Sequence, residues 1–264
     1  MKKMLSTLMF AAFLFVFAET AQAAPRMINM DDAVSGKVSV QYTQDITKKI
    51  KVQISKDDIK YTYDIFNNDI VEFPLQMGEG TYRIMVLENI SGTSYRILEQ
   101  TEIKIGQIDD AVLFTSASQL VNFNGDMISV RDFKTMLADK KTTEEKIDLI
   151  YNFVVKNFSY DYNKMKTVQT GYIPVVDDVY NAKTGICYDF SVVFAAALRS
   201  NGIPAKLSMG YSTATGDTYH AWNEIFINGK WVVVDTTYDV SAYKAKAKWS
   251  MTKNASQFTT VKTY

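Results

Sequence analysis

The 264-residue chain has one cysteine, Cys187, and one histidine, His220. A lone cysteine cannot be half of an internal disulfide, and one Cys with one His is too few for a zinc centre. Neither sign of charge dominates, since 29 basic residues balance 29 acidic ones. That balance excludes a nucleic-acid partner recognised by bulk charge. No dense acidic cluster and no loop of the EF-hand type is present to hold calcium, so neither metal nor cofactor is expected. Beyond residue 18 no apolar run is long enough to span a bilayer.

What the chain does have begins with Lys2 and Lys3, an apolar stretch from Leu5 to Ala18, and the small residues of Ala21-Gln22-Ala23. This is the pattern of a signal peptide, residues 1–23, cleaved after Ala23. The apolar stretch is about 14 residues, short of the roughly 20 a spanning helix needs. No cysteine follows it, which excludes a lipoprotein. The mature chain is therefore expected in the periplasm, at the cell surface or in the medium, with no membrane anchor. Losing Lys2, Lys3 and Glu19 leaves it with one net negative charge. An unpaired cysteine in an exported protein is flagged as a reactive thiol.

The roughly 240 remaining residues favour two domains. Residues 24–107 read as short strands: KVSVQYT, KIKVQIS, IKYTYDIF, IVEFPLQM, GTYRIMVLEN and SYRILEQTEIKI. Apolar and polar residues alternate, and Asp57-Asp58, Asn67-Asn68 and Gly78-Glu79-Gly80 mark turns. Six or seven such strands suggest an immunoglobulin-like β-sandwich. It holds no catalytic constellation, which makes it a spacer or a binding module. Residues 108–141 are expected to connect it to a second domain at 142–264.

Helical character starts at Thr142. Thr142 and Glu145 have capping-box spacing, and Ile147, Ile150, Tyr151, Val154 and Phe158 recur on one helical face. Residues 161–184 read as a loop containing Gly171-Tyr172-Ile173-Pro174, either a wall of a substrate groove or a plain connection. In the next helix Phe190, Val193, Phe194, Ala197 and Leu198 form a buried stripe, Gly202 is a C′ candidate, and Pro204 stops the element. Cys187 falls at its start, where unpaired N–H groups and the helix dipole favour a thiolate. The same N–H groups can donate to an oxyanion.

Asn228-Gly229 is a hairpin signal between TYHAWNEIFI and KWVVVDTTY. With those two residues as the turn, Ile227 opposes Lys230, Trp222 faces Asp235, and His220 lies two residues along on the same face. Diagonal neighbours of this kind can hydrogen-bond. Asp235 also stands at a strand end, where aspartate commonly caps a turn. A thiol, an imidazole and a carboxylate together supply nucleophile, base and orienting group.

The segments GICYDFSVVFAAALRSNGIPAKLSMGY, HAWNEIFINGKW and VVVDTTYD resemble the transglutaminase-like superfamily, whose core is related to the papain fold. The resemblance covers about 100 residues, from Thr142 to Tyr238. It implies an α+β fold, in which the sandwich is followed by a transglutaminase-like (papain-like) α+β domain. It further implies Cys187 as nucleophile, His220 as general base and acid, and Asp235 as the orienting carboxylate. Animal transglutaminases place a tryptophan upstream of the nucleophile to help hold the oxyanion. Trp222, Trp231 and Trp249 all lie downstream of Cys187, which leaves Tyr172 as a side-chain candidate beside the Cys187 amide. Trp222, on the His220 face, is a candidate substrate wall that would shield a thioester from water.

The resulting expectation is an acyl-transfer enzyme. Cys187 forms a thioester with a carboxamide or peptide carbonyl, and an amine (cross-linking) or water (hydrolysis) resolves it. Protein or peptide substrates at the cell surface or cell wall are the natural class. The alternatives are a cysteine peptidase or amidase of cell-surface peptides, or a non-catalytic surface-binding scaffold.

Overall fold

A computed structural model describes residues 26–264. The expected signal peptide lies outside the described residues. Seven strands come first: β1 (Ile28–Asn29), β2 (Lys37–Gln41), β3 (Ile50–Lys56), β4 (Ile59–Ile65), β5 (Ile70–Pro74), β6 (Gly80–Ser91) and β7 (Ser94–Ile105). They form two antiparallel sheets, in the orders β1-β2-β5 and β4-β3-β6-β7. Because strand side chains alternate, Val38 and Val40, Ile50, Val52 and Ile54, and Tyr82, Ile84 and Val86 all turn into one apolar cluster between the sheets. The hydroxyl of fully buried Tyr82 accepts the Met77 N–H at 2.8 Å and bonds back to the Leu75 and Gly78 carbonyls.

The segment at 108–141 carries two helices, α1 (Asp110–Leu113) and α2 (Ile128–Met136). It does more than connect, because its Val121, Phe133 and Leu137 sit in the second core. Helix α3 (Thr143–Asn157) starts with the expected capping box. Glu145 N–H donates to Thr142 Oγ1 and Thr142 N–H donates to Glu145 Oε2, both at 3.1 Å. Its five foreseen apolar residues are all buried.

Strand β8 (Ser159–Tyr160) follows. Residues 161–184 are not the plain loop expected of them. They contain α4 (Tyr162–Thr167) and α5 (Val176–Ala182), and β9 (Thr184–Gly185) then pairs in parallel with β8. Helix α6 (Cys187–Arg199) is buried almost all round, from Asp189 to Arg199, rather than along one stripe. It packs against α3, α5 and α7 as well as the sheet that follows, so it is the central helix of the domain. It ends at Ser200, and Gly202, at φ +72° and two residues beyond that cap, turns the chain towards Pro204.

That sheet contains β10 (Ala205–Ser212), β11 (His220–Ile227), β12 (Lys230–Val234), then after α7 (Thr236–Lys244) β13 (Thr252–Lys253) and β14 (Phe258–Thr263). The order is β13-β12-β11-β10-β14, antiparallel throughout. Asn228 and Gly229 both take positive φ, 52° and 75°, and Ile227 pairs with Lys230 as the hairpin reading requires. At Gly210 the β10–β14 register shifts, and a Cβ there would lie 2.0 Å from the Thr259 carbonyl oxygen. Only glycine lets β14 approach this closely, and Gly210 pairs with His220 on its other side. The edge strand β14 also meets the N-terminal sheets. Tyr264 packs edge-on against Tyr61 with centroids 5.3 Å apart, and Thr263 N–H donates to the Tyr61 hydroxyl at 3.3 Å.

Candidate active site

Cys187 is the first residue of α6, half-buried, with the uncapped N–H groups of that helix around it. His220 opens β11 and Asp235 follows the end of β12; both are buried. The hairpin register brings the latter two together: His220 Nε2 lies 2.8 Å from Asp235 Oδ2. Asp235 Oδ1 accepts the Tyr238 N–H at 3.0 Å, so the same side chain caps α7. The strand-end cap and the histidine partner are one residue.

With Nε2 committed to Asp235, the remaining ring nitrogen, Nδ1, serves Cys187. Burial alone would disfavour an imidazolium, but the hydrogen bonds to Asp235 and Cys187 outweigh it and push the His220 pKa up to about 10. Near neutrality the imidazole is therefore protonated. Trp222 is fully buried behind the imidazole, stacked at 28° with centroids 6.1 Å apart, and Phe258 of β14 closes its other side at 5.0 Å. Buried Asn223 fixes this strand to the nucleophile's helix, donating to the Ser191 carbonyl of α6 and the Lys206 carbonyl of β10, each at 3.0 Å.

A cavity of about 420 Å³ opens over Cys187, His220 and Asp235, walled by Tyr160, Tyr162, Met165 and Tyr219. Of the two substrate-site candidates, neither reaches this wall. Tyr172 donates its hydroxyl to Asp189 Oδ1 at 2.7 Å, under the start of α6. Trp222 has the expected face but lies too deep, covered by Phe258. Tyr160 lines the cavity instead. Parallel pairing with Gly185 sets it beside the nucleophile. Burial first, and the neighbouring Cys187 next, push its pKa up to about 12, so the phenol remains a proton donor at working pH. The one signal for Tyr160 in the sequence was its aromatic character just after α3.

Residues 132–236 match the sequence profile of the transglutaminase-like superfamily, and this part of the chain is a transglutaminase-like domain. The match contains Cys187, His220 and Asp235. Over 220 residues the chain is 26% identical to the UPF0252 protein MJ1282 of Methanocaldococcus jannaschii, with 72% of this chain and 61% of that protein covered. The chain thus spans about 61% of the length of the curated relative it matches. Among solved structures it is similar to the periplasmic domain of TgpA from Pseudomonas aeruginosa, at 13% identity and TM-score 0.38, covering 83% and 98% of the two chains. It is also similar to LapG of Legionella pneumophila, at 13% identity and TM-score 0.39, covering 52% and 82%.

Proposed function

We propose that the protein is an exported cysteine acyl-transfer enzyme acting on a carboxamide or peptide carbonyl. One observation carries this reading: a helix-start thiol beside an imidazole whose other nitrogen is held 2.8 Å from a buried carboxylate, at the floor of an open cavity. The Cys187 thiolate attacks the carbonyl carbon, and the oxyanion forms between the Cys187 N–H and the Tyr160 hydroxyl. As the tetrahedral intermediate collapses, His220 gives its proton to the departing amine and a thioester remains. The neutral imidazole then takes a proton from an incoming amine or water, which attacks the thioester and frees the thiolate.

Transfer to an amine and hydrolysis divide on one point. The expected aromatic shield, Trp222, is buried out of the cavity, and this favours water as acceptor more than the sequence alone did. The hydrolytic reading, a peptidase or amidase of cell-surface peptides, therefore stands beside transamidation. The deciding experiment supplies a glutamine-containing protein and a labelled primary amine at neutral pH without calcium. Covalent label lost in Cys187→Ala means transfer; deamidated or cleaved product without label means hydrolysis. Unchanged turnover in Cys187→Ala rejects both.

The N-terminal sheets fit an immunoglobulin-like sandwich that binds or spaces at the cell surface. Support comes from the strand orders β1-β2-β5 and β4-β3-β6-β7, and from Tyr82 near the start of β6 bonding back to the preceding corner.

A further inference from the structure

A buried ion pair lies directly under Cys187, and the acyl-transfer scheme does not use it. Asp189, in the first turn of α6, is 0% exposed. Its Oδ2 accepts the Ile186 N–H, the amide just before the nucleophile, at 2.8 Å, and meets Lys164 Nζ at 2.8 Å. Its Oδ1 accepts the Tyr172 hydroxyl at 2.7 Å, and Lys164 donates to that same hydroxyl at 2.7 Å. Gly185 makes the room, since a Cβ there would come within 2.6 Å of the Asp189 Cβ. The carboxylate thus pins residues 185–187 from beneath. It also sets a negative charge within one helical turn of a thiolate, which by itself would oppose ionisation of the thiol.

The charged and titratable groups facing Asp189 are Lys164, Tyr160, Tyr172 and Tyr188; those lining the cavity with Cys187 are Tyr160, Tyr162, Tyr219, His220, Asp235 and Tyr238. Among the groups facing Asp189, Lys164 is the one cation. It sits on α4, whose Tyr162 and Met165 wall the cavity. We infer that Lys164 is a positioning residue whose ammonium neutralises Asp189, keeps the Cys187 thiolate available and clamps the α4 wall against the nucleophile. Burial works against the ammonium, but its bonds to Asp189 and Tyr172 prevail and Lys164 titrates above an ordinary lysine.

The inference rests on Cys187 as nucleophile, and alkylation separates the two without needing a substrate. The full chain is treated with iodoacetamide across a pH series and followed by intact mass spectrometry. Lys164→Met should alkylate about tenfold more slowly at neutral pH, with its profile moved about one pH unit alkaline. Lys164→Arg should keep the wild-type profile. Lys164→Met combined with Asp189→Asn should recover most of the rate, because no buried charge is left unpaired. An unmoved profile in Lys164→Met, or a double variant as slow as the single one, overturns the inference. If Lys164→Met fails to fold, the double variant decides alone, and a profile shifted alkaline overturns it. Wild-type protein reacting no faster than free cysteine removes the nucleophile reading and this inference with it.

Discussion

Asp235 holds His220 with one carboxylate oxygen and the first turn of α7 with the other, at 2.8 and 3.0 Å. The two duties separate by substitution. Asn remains a good N-cap, so Asp235→Asn should keep the α7 cap and lose only the stability that comes from pairing with His220. It no longer stabilises the imidazolium, and kcat/KM should fall by about 10²–10⁴-fold. Asp235→Ala loses the cap as well and should be about 1 kcal/mol less stable than Asp235→Asn. Urea unfolding beside kinetics makes the comparison; equal stability in the two variants would mean the cap contributes nothing.

His220 is the sole histidine, so its ring protons give an unambiguous NMR titration. The midpoint is expected near pH 10, and lower in both Cys187→Ala and Asp235→Asn, since each removes a group that favours the imidazolium. The folded-state pKa lies above the usual 6.5. The imidazolium therefore stabilises the fold fully below about pH 6.5, and that contribution is lost as pH rises through about 10. Activity should fall in the same alkaline range, where the leaving amine has no proton donor. A midpoint near 6.5 would show that the thiolate–imidazolium pair does not form.

The site was legible where short-range rules govern it. Asn228-Gly229 demanded positive φ at two adjacent positions, and that fixed the hairpin register and hence the His220–Asp235 pairing. Helix α3 was readable from its cap and its periodic face. Residues 161–184 were not, because α4 and α5 are six and seven residues long, too short to persist without the contacts that hold them. Parity gave the face of Trp222 but not its depth, which Phe258 sets from a strand 36 residues further along. Tyr160 reaches the site through a two-residue parallel bridge to Gly185, for which no local pattern exists.

Tyr160→Phe keeps the ring and deletes the donor. If the hydroxyl holds the oxyanion, kcat should fall by about 10²–10³-fold with KM little changed, because the bond strengthens only as charge develops. Alkylation of Cys187 by iodoacetamide, which forms no oxyanion, should continue at the wild-type rate. A loss confined to KM would move Tyr160 from catalysis to substrate binding.

The N-terminal sheets hold none of the three reactive residues, yet they are joined to the edge of the sheet that carries His220. Lys262 Nζ donates to the Lys60 carbonyl, Thr263 N–H to the Tyr61 hydroxyl, and Gln76 Nε2 to the Thr263 carbonyl. Tyr264 is packed between Tyr61 and Tyr63 on one side and the second core on the other. A fragment beginning at Ile108 keeps α2, α3 and α6 and all three reactive residues, but bares β14 and Tyr264. Each lost hydrogen bond is worth about 0.5–1.5 kcal/mol, and the exposed tyrosine adds to that. β14 in turn covers Trp222, which backs His220. The fragment should therefore fold with a lower Tm than the whole chain, and its Cys187 should alkylate more slowly as β14 frays from the sheet. Thermal melts and alkylation rates of the fragment and the whole chain test this together. Equal Tm and equal rates would show that the two parts are energetically independent.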